Sequence, residues 1–98
     1  MLVHSVYFWL KPTCTPGQVE AFREGLESLR DIASIDTLYI GTPAETHRPV
    51  IDRTYTFALT VLLAGIEEHD AYQLDPLHQA FLGKFSDYWE RVVIYDAH

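Results

Sequence analysis

The chain opens with a short, largely apolar run, "LVHSVYFWL" at residues 2–10, in which only His4 and Ser5 are strongly polar. Successive side chains of an extended chain point to opposite faces. Leu2, His4, Val6, Phe8 and Leu10 therefore share one side, and Val3, Ser5, Tyr7 and Trp9 the other. Both sides are largely apolar, which predicts a strand covered on both faces and ended by Lys11-Pro12. The period then changes. In "CTPGQVEAFREGLESLRDI" (14–32), Val19, Phe22, Leu26 and Leu29 recur at spacings of three and four, with Glu20, Arg23, Glu24, Glu27 and Arg30 between them. That is the stripe of an amphipathic helix, and its start is marked by Thr15 as N-cap, Pro16 at the first helical position and Gln18 completing a capping box.

Further on, "SIDTLYIG" (34–41) and "TYTFALTVLL" (54–63) read as strands joined by a polar, proline-containing loop over 42–53. "AGIEEHDAYQL" (64–74) reads as a helix with Ile66 and Tyr72 inward, joined there by His69 or Leu74. Asp75-Pro76 breaks it. A further helix is expected over 76–89, with Asp75 as N-cap and Leu77, Phe81, Phe85 and Trp89 four apart, and a last strand over 91–98. The order β-α-β-β-α-β predicts a single α+β domain, residues 1–98, folded as a ferredoxin-like sandwich with helices on one face of an antiparallel sheet.

Such a sandwich leaves one sheet face bare, yet the first and third strands are apolar on both. With 48% hydrophobic and 13% aromatic residues, the chain carries more apolar surface than one copy hides. The symmetric solution is a homodimer through the exposed sheet face, with a sheltered hollow between the sheets for a small apolar or aromatic molecule. The net charge of −7, from 14 acidic and 7 basic side chains without a basic cluster, argues against nucleic acid. The first apolar run stops at Lys11, short of the ~20 residues of a membrane span. It has neither the basic flank nor the cleavage site of a signal peptide. Cys14 stands alone, which excludes an internal disulfide and suits a reducing, cytoplasmic setting.

"AYQLDPLHQAF" (71–81) is the stretch that raises a chemical question. With Asp75 as N-cap, His78 falls in the first helical turn, where the positive helix end disfavours imidazolium while the Asp75 carboxylate favours it. The plain alternative is a helix joint whose histidine packs and whose tyrosine edges the core. His4 either lines a cavity with Val6 and Phe8 or sits at a dimer seam. Phe57, Leu59, Phe81 and Trp89 form either an apolar wall for a ligand or simple core. His47 and His69 are expected to be solvated. No local spacing of His, Cys, Asp or Glu suits a metal, and no glycine-rich phosphate loop or nucleophile elbow occurs, so neither metal nor cofactor is expected.

Taken together, "VHSVYFWLK", "AYQLDPLHQAF" and the closing "WERVVIYD" resemble the Dabb family, the stress-responsive dimeric α/β-barrel domains, over nearly the whole length. The resemblance implies a ferredoxin-like protomer and a homodimer with an α/β barrel at its core. It implies no single activity. The characterised members, plant olivetolic acid cyclases, close a linear polyketide thioester by aldol condensation without metal or organic cofactor. Their tyrosine and histidine map onto Tyr72 and His78 through the shared Y-x5-H spacing. This chain departs at Asp75, where many members carry histidine, and at Phe57, where the cyclases carry a polar histidine.

Three functions stay open on these grounds. One is a cofactor-free cyclase or lyase in which His78 takes a proton next to a carbonyl and Tyr72 steadies the enolate. A second is a non-catalytic small-ligand-binding stress-response protein. The third is a cofactor-free monooxygenase of a neighbouring dimeric-barrel family.

Overall fold

The alternation in residues 2–10 becomes the centre of the fold. A computed structural model describes all 98 residues. The chain forms strands β1 (Leu2–Leu10), β2 (Ile35–Gly41), β3 (Phe57–Leu63) and β4 (Trp89–Ala97), and helices α1 (Pro16–Ser28), α2 (Ile66–Leu74) and α3 (Pro76–Phe85). Single 3-10 turns follow α1 and α3, at Leu29–Asp31 and Ser86–Tyr88. The strands pair in the order β2-β3-β1-β4, every neighbouring pair antiparallel, which is the α+β ferredoxin-like sandwich that the element order predicts.

One face of β1 is buried and the other half-buried, residue by residue. Leu2, His4, Val6, Phe8 and Leu10 lie under the helices, beside Phe57, Leu59, Val61 and Leu63 of β3. Phe22 of α1, wholly buried, is the hub of this layer. Its ring lies 5.1 Å from Phe8, 5.6 Å from Phe81 and 5.7 Å from both Phe57 and Phe85, within the range in which aromatic pairs add to simple burial. Truncating such a ring costs about 3–5 kcal/mol.

The helix starts are set locally. The Thr15 hydroxyl accepts from the Gln18 amide (3.2 Å), and the Gln18 side chain accepts from the Thr15 amide (2.8 Å). At α3, the Asp75 carboxylate accepts from the Leu77 amide (2.9 Å), and Pro76 follows as the first helical residue. Because a residue before proline is pushed out of the helical region, the same Asp75-Pro76 step ends α2 and begins α3.

Two elements differ from the pattern-based expectation. In α2 only Tyr72 is buried, while Ile66 and Leu74 are exposed. At about 100° per residue, Leu74 lies roughly opposite Tyr72 and Ile66 about 120° away, whereas His69 is within about 60° of it. At the other end, α3 stops at Phe85, and Trp89 belongs to β4, paired with Leu10. The 3-10 turn reverses the chain there, and the Trp89 ring meets Phe8 at 5.2 Å and Phe81 at 6.3 Å from the sheet side.

No helix covers the second sheet face. Tyr7 lies 5.1 Å from Tyr55 and 6.4 Å from Tyr95, and the Arg91 guanidinium sits 4.2 Å above the Trp9 ring. Tyr39 and Tyr95 stay exposed on it. No helix is long and apolar enough to cross a membrane.

Gly25 is where α1 meets α3 most closely. A Cβ there would come within 2.4 Å of the buried Phe85 ring, whereas one at Gly83 meets nothing within 4 Å. Gly25→Ala is therefore expected to destabilise the fold by about 1–3 kcal/mol through overpacking. Gly83→Ala should stabilise it by up to ~1 kcal/mol, the helix-propensity gain alone. Urea unfolding of the two variants checks this, and equal behaviour would contradict the packing described.

Candidate ligand pocket

The Asp75-Pro76 step places Tyr72 at the end of one helix and His78 at the start of the next, so both side chains reach the same space. That space is a cavity of about 260 Å³ between the helices and the β1–β4 half of the sheet. His4, Val6 and Phe8 of β1 and Leu59 of β3 form its floor. Tyr72 and Gln73, with His78, Phe81 and Leu82, close it from the helices. Trp89, Val92 and Ile94 of β4, with Leu29, complete the wall. The lining contains no carboxylate, lysine or arginine.

Of the residues singled out from the sequence, Phe57 alone does not line the cavity. It faces the helices but is engaged elsewhere, stacked on Phe22 with Arg23 above its ring. The Tyr72–His78 cavity lies on the helix side within one chain, because the break between α2 and α3 leaves space over β1 and β4. His4 accordingly sits in the pocket floor, under the helices and away from the open sheet face. Leu82 and Ile94 also line the cavity, and simple sequence signals point to them. Leu82 is four residues beyond His78 on one helix, and Ile94 shares a strand face with Val92 and Asp96.

The polar groups form a continuous run of rings. Tyr72 and His78 have ring centroids 4.7 Å apart, His4 is 5.5 Å from Tyr72, and His69 is 5.3 Å from His4. His4 Nδ1 meets the Asp96 carboxylate at 2.5 Å, across the β1–β4 ladder where the two residues are directly opposed. His69, expected to be solvated, is only 15% exposed at its side chain and packs on His4.

Burial governs the ionisation of the pair. Desolvation lowers the His78 pKa below the ordinary histidine value. The nearby His4 and His69 act in the same direction, while a backbone hydrogen bond at Gln73 and the Asp75 carboxylate oppose it. The result has the direction read from the helix end, but burial is its leading cause. His78 Nδ1 is buried without a hydrogen-bond partner. Desolvation also pushes the Tyr72 phenol well above its usual pKa, so it stays a protonated donor across the neutral range. A neutral imidazole and a protonated phenol side by side, in an apolar enclosure, can accept one proton and donate one hydrogen bond.

The fold and this enclosure define a class: a ferredoxin-like α+β protomer with a small apolar pocket between its sheet and its helices. The chain belongs to the stress responsive A/B barrel domain family (Dabb), which matches residues 2–98. A dimeric ferredoxin-like protein of unknown function from Thermobifida fusca superposes with a TM-score of 0.80 at 26% identity, the match covering 98% of this chain and 88% of that one. A Dabb family protein from Mesorhizobium loti gives 0.80 at 21% identity, covering 99% and 94%. A hydroxynitrile lyase from Passiflora edulis gives 0.80 at 19% identity, covering 98% and 90%. No curated protein matches the chain.

Because folding lowers the His78 pKa, the unfolded chain binds the proton more readily between that depressed value and ~6.5. The contribution of neutral His78 to stability is complete above about pH 6.5 and is lost as the pH falls through that window. Urea midpoints measured from about pH 8 down to about pH 5 should fall for the wild type and fall less for His78→Gln. Equal acid sensitivity of the two would contradict the assignment.

Proposed function

We propose that the cavity is a binding site for a small, uncharged carbonyl compound, and that Tyr72 and His78 carry out proton transfer on it in a lyase or cyclase reaction. The observation that carries the reading is the buried, unpartnered nitrogen of His78 beside Tyr72. A neutral imidazole removes a proton from the carbon next to the carbonyl. The C–H electron pair becomes the new C=C bond as the carbonyl π pair moves onto oxygen, and the Tyr72 hydroxyl donates a hydrogen bond to the enolate oxygen so formed. The enolate carbon then attacks a second carbonyl of the same molecule, a C–C bond forms as that carbonyl's π pair moves to its oxygen, and the imidazolium gives its proton to the resulting alkoxide.

The enclosure limits the guest. A cavity of ~150 Å³ admits benzene, so about 260 Å³ suits a single substituted ring or a short branched chain. The absence of cationic groups from the lining disfavours carboxylates and phosphates. The Tyr72–His78 arrangement is the one that likeness to the polyketide cyclases implies, and the lyase from Passiflora edulis shows that this scaffold also hosts a lyase. Phe57, where the cyclases have histidine, lies outside the cavity.

Two copies pair through the open sheet face in this reading, forming the α/β barrel. The support is the aromatic side chains left exposed there and the dimeric state of the Thermobifida relative. A cytoplasmic setting is part of this reading, and the free Cys14 is compatible with it.

Tyr72→Phe and His78→Ala, assayed on a panel of β-diketones and hydroxynitriles, should each lower turnover by ~10²-fold or more. The affinity for a phenolic ligand should change only a few-fold. Ligand binding without turnover by the wild type would instead identify a non-catalytic binding protein.

A further inference from the structure

Beside the pocket, the fold gathers three groups that lie far apart in the chain: His4 on β1, His69 on α2 and Asp96 on β4. One ligand atom from each falls within 4.8 Å of the others. Asp96 Oδ1 is 2.5 Å from His4 Nδ1, and its other oxygen is 3.7 Å from His69 Nε2, beyond hydrogen-bond reach. His69 Nδ1 is held by the adjacent Asp70 carboxylate at 3.1 Å. A ring that donates through Nδ1 to Asp70 presents a lone pair at Nε2, and that atom is buried with no partner. A lone pair thus faces a carboxylate oxygen with nothing between them, an arrangement that a positive charge resolves.

We propose that His4, His69 and Asp96 bind a divalent transition-metal ion of the zinc(II) type. Two imidazoles and one carboxylate suit zinc, cobalt or nickel, and they lack the oxygen ligands that magnesium or calcium requires. Ligands at ~2.0–2.2 Å from such an ion lie about 3–3.5 Å from one another. The His4–Asp96 pair opens, and the remaining separations close, by about 1 Å. The proton shared by His4 and Asp96 leaves as the metal enters. Asp96, with its side chain 41% exposed, is the entry side and leaves room for water in the remaining coordination positions. His4, 2% exposed, is the floor. Asp70 orients the His69 ring from behind, as carboxylates do for metal-bound histidines. The ion would clamp the edge strand β4 and the lightly buried α2 to the central strand. Through His4 it would also fix one wall of the pocket, although the site stands on geometry independent of any reaction there.

Cobalt(II) and zinc(II) added to the metal-stripped full-length protein test this directly. The expected result is one ion per chain, visible-range cobalt absorption that zinc abolishes, and a zinc-dependent rise in Tm of several degrees. His69→Gln and Asp96→Asn should each weaken binding at least about tenfold. His47→Gln and His98→Gln, at exposed histidines, should leave it unchanged. His69→Gln lies at the edge of the core, so circular dichroism of that variant separates lost ligation from lost folding. Undiminished binding by folded His69→Gln, or no cobalt band and no Tm shift with excess metal, would overturn the proposal and leave a proton as the charge between His69 and Asp96. Neither result bears on the Tyr72 and His78 variants.

Discussion

The packing of α1 and α3 against the Leu2, His4, Val6, Phe8 and Leu10 side of β1 holds the rest of the molecule in place. Phe22 joins that side of the sheet to both helices, touching Phe8, Phe57, Phe81 and Phe85 in one aromatic cluster. Nothing equivalent covers the other side, where Tyr7 and Trp9 are half-buried and Tyr95 is exposed. A four-stranded sheet with apolar residues on both faces has twice the surface that one helical layer can shelter. That imbalance leaves one side of the sheet packed and the other uncovered.

The pocket arises from an imperfection in the covering layer. Were α2 and α3 one continuous helix, its side chains would have to fill the space above His4 and Val6. Asp75 and Pro76 interrupt it, and the short α2 contributes a single fully buried side chain, Tyr72. The resulting hollow carries its few polar groups in an otherwise apolar wall, where desolvation is the leading cause of the Tyr72 and His78 shifts. For His78 burial outweighs the opposing Gln73 backbone hydrogen bond and Asp75 carboxylate, and the net shift is downward.

Local features were legible in the sequence because their physics is local. The two faces of β1, the Thr15–Gln18 capping box, the Asp75 cap and the turn into α3 depend on residues a few positions apart, and each stands where the pattern put it. Tyr72 and His78 could be paired because one helix break lies between them. Trp89 was less readable: its spacing of four from Phe85 fits a helix, but pairing with Leu10 draws it into the sheet. Phe57 shares a face with Leu59 yet is taken up by Phe22, a choice that only three-dimensional packing makes. His69 and Asp96 carry no joint signal along the chain. They meet because β4 returns beside β1 directly under α2, and no spacing rule spans that distance.

Chemical-shift mapping with a phenolic probe on isotopically labelled protein tests the central claim, that the sheltered side of the sheet and not its open side holds the functional cavity. The account predicts saturable shifts in the ring signals of His4, Tyr72 and His78, with those of Tyr39 and Tyr95 unmoved. Saturable shifts confined to Tyr7, Tyr95 and Trp9, with His78 silent, would contradict it.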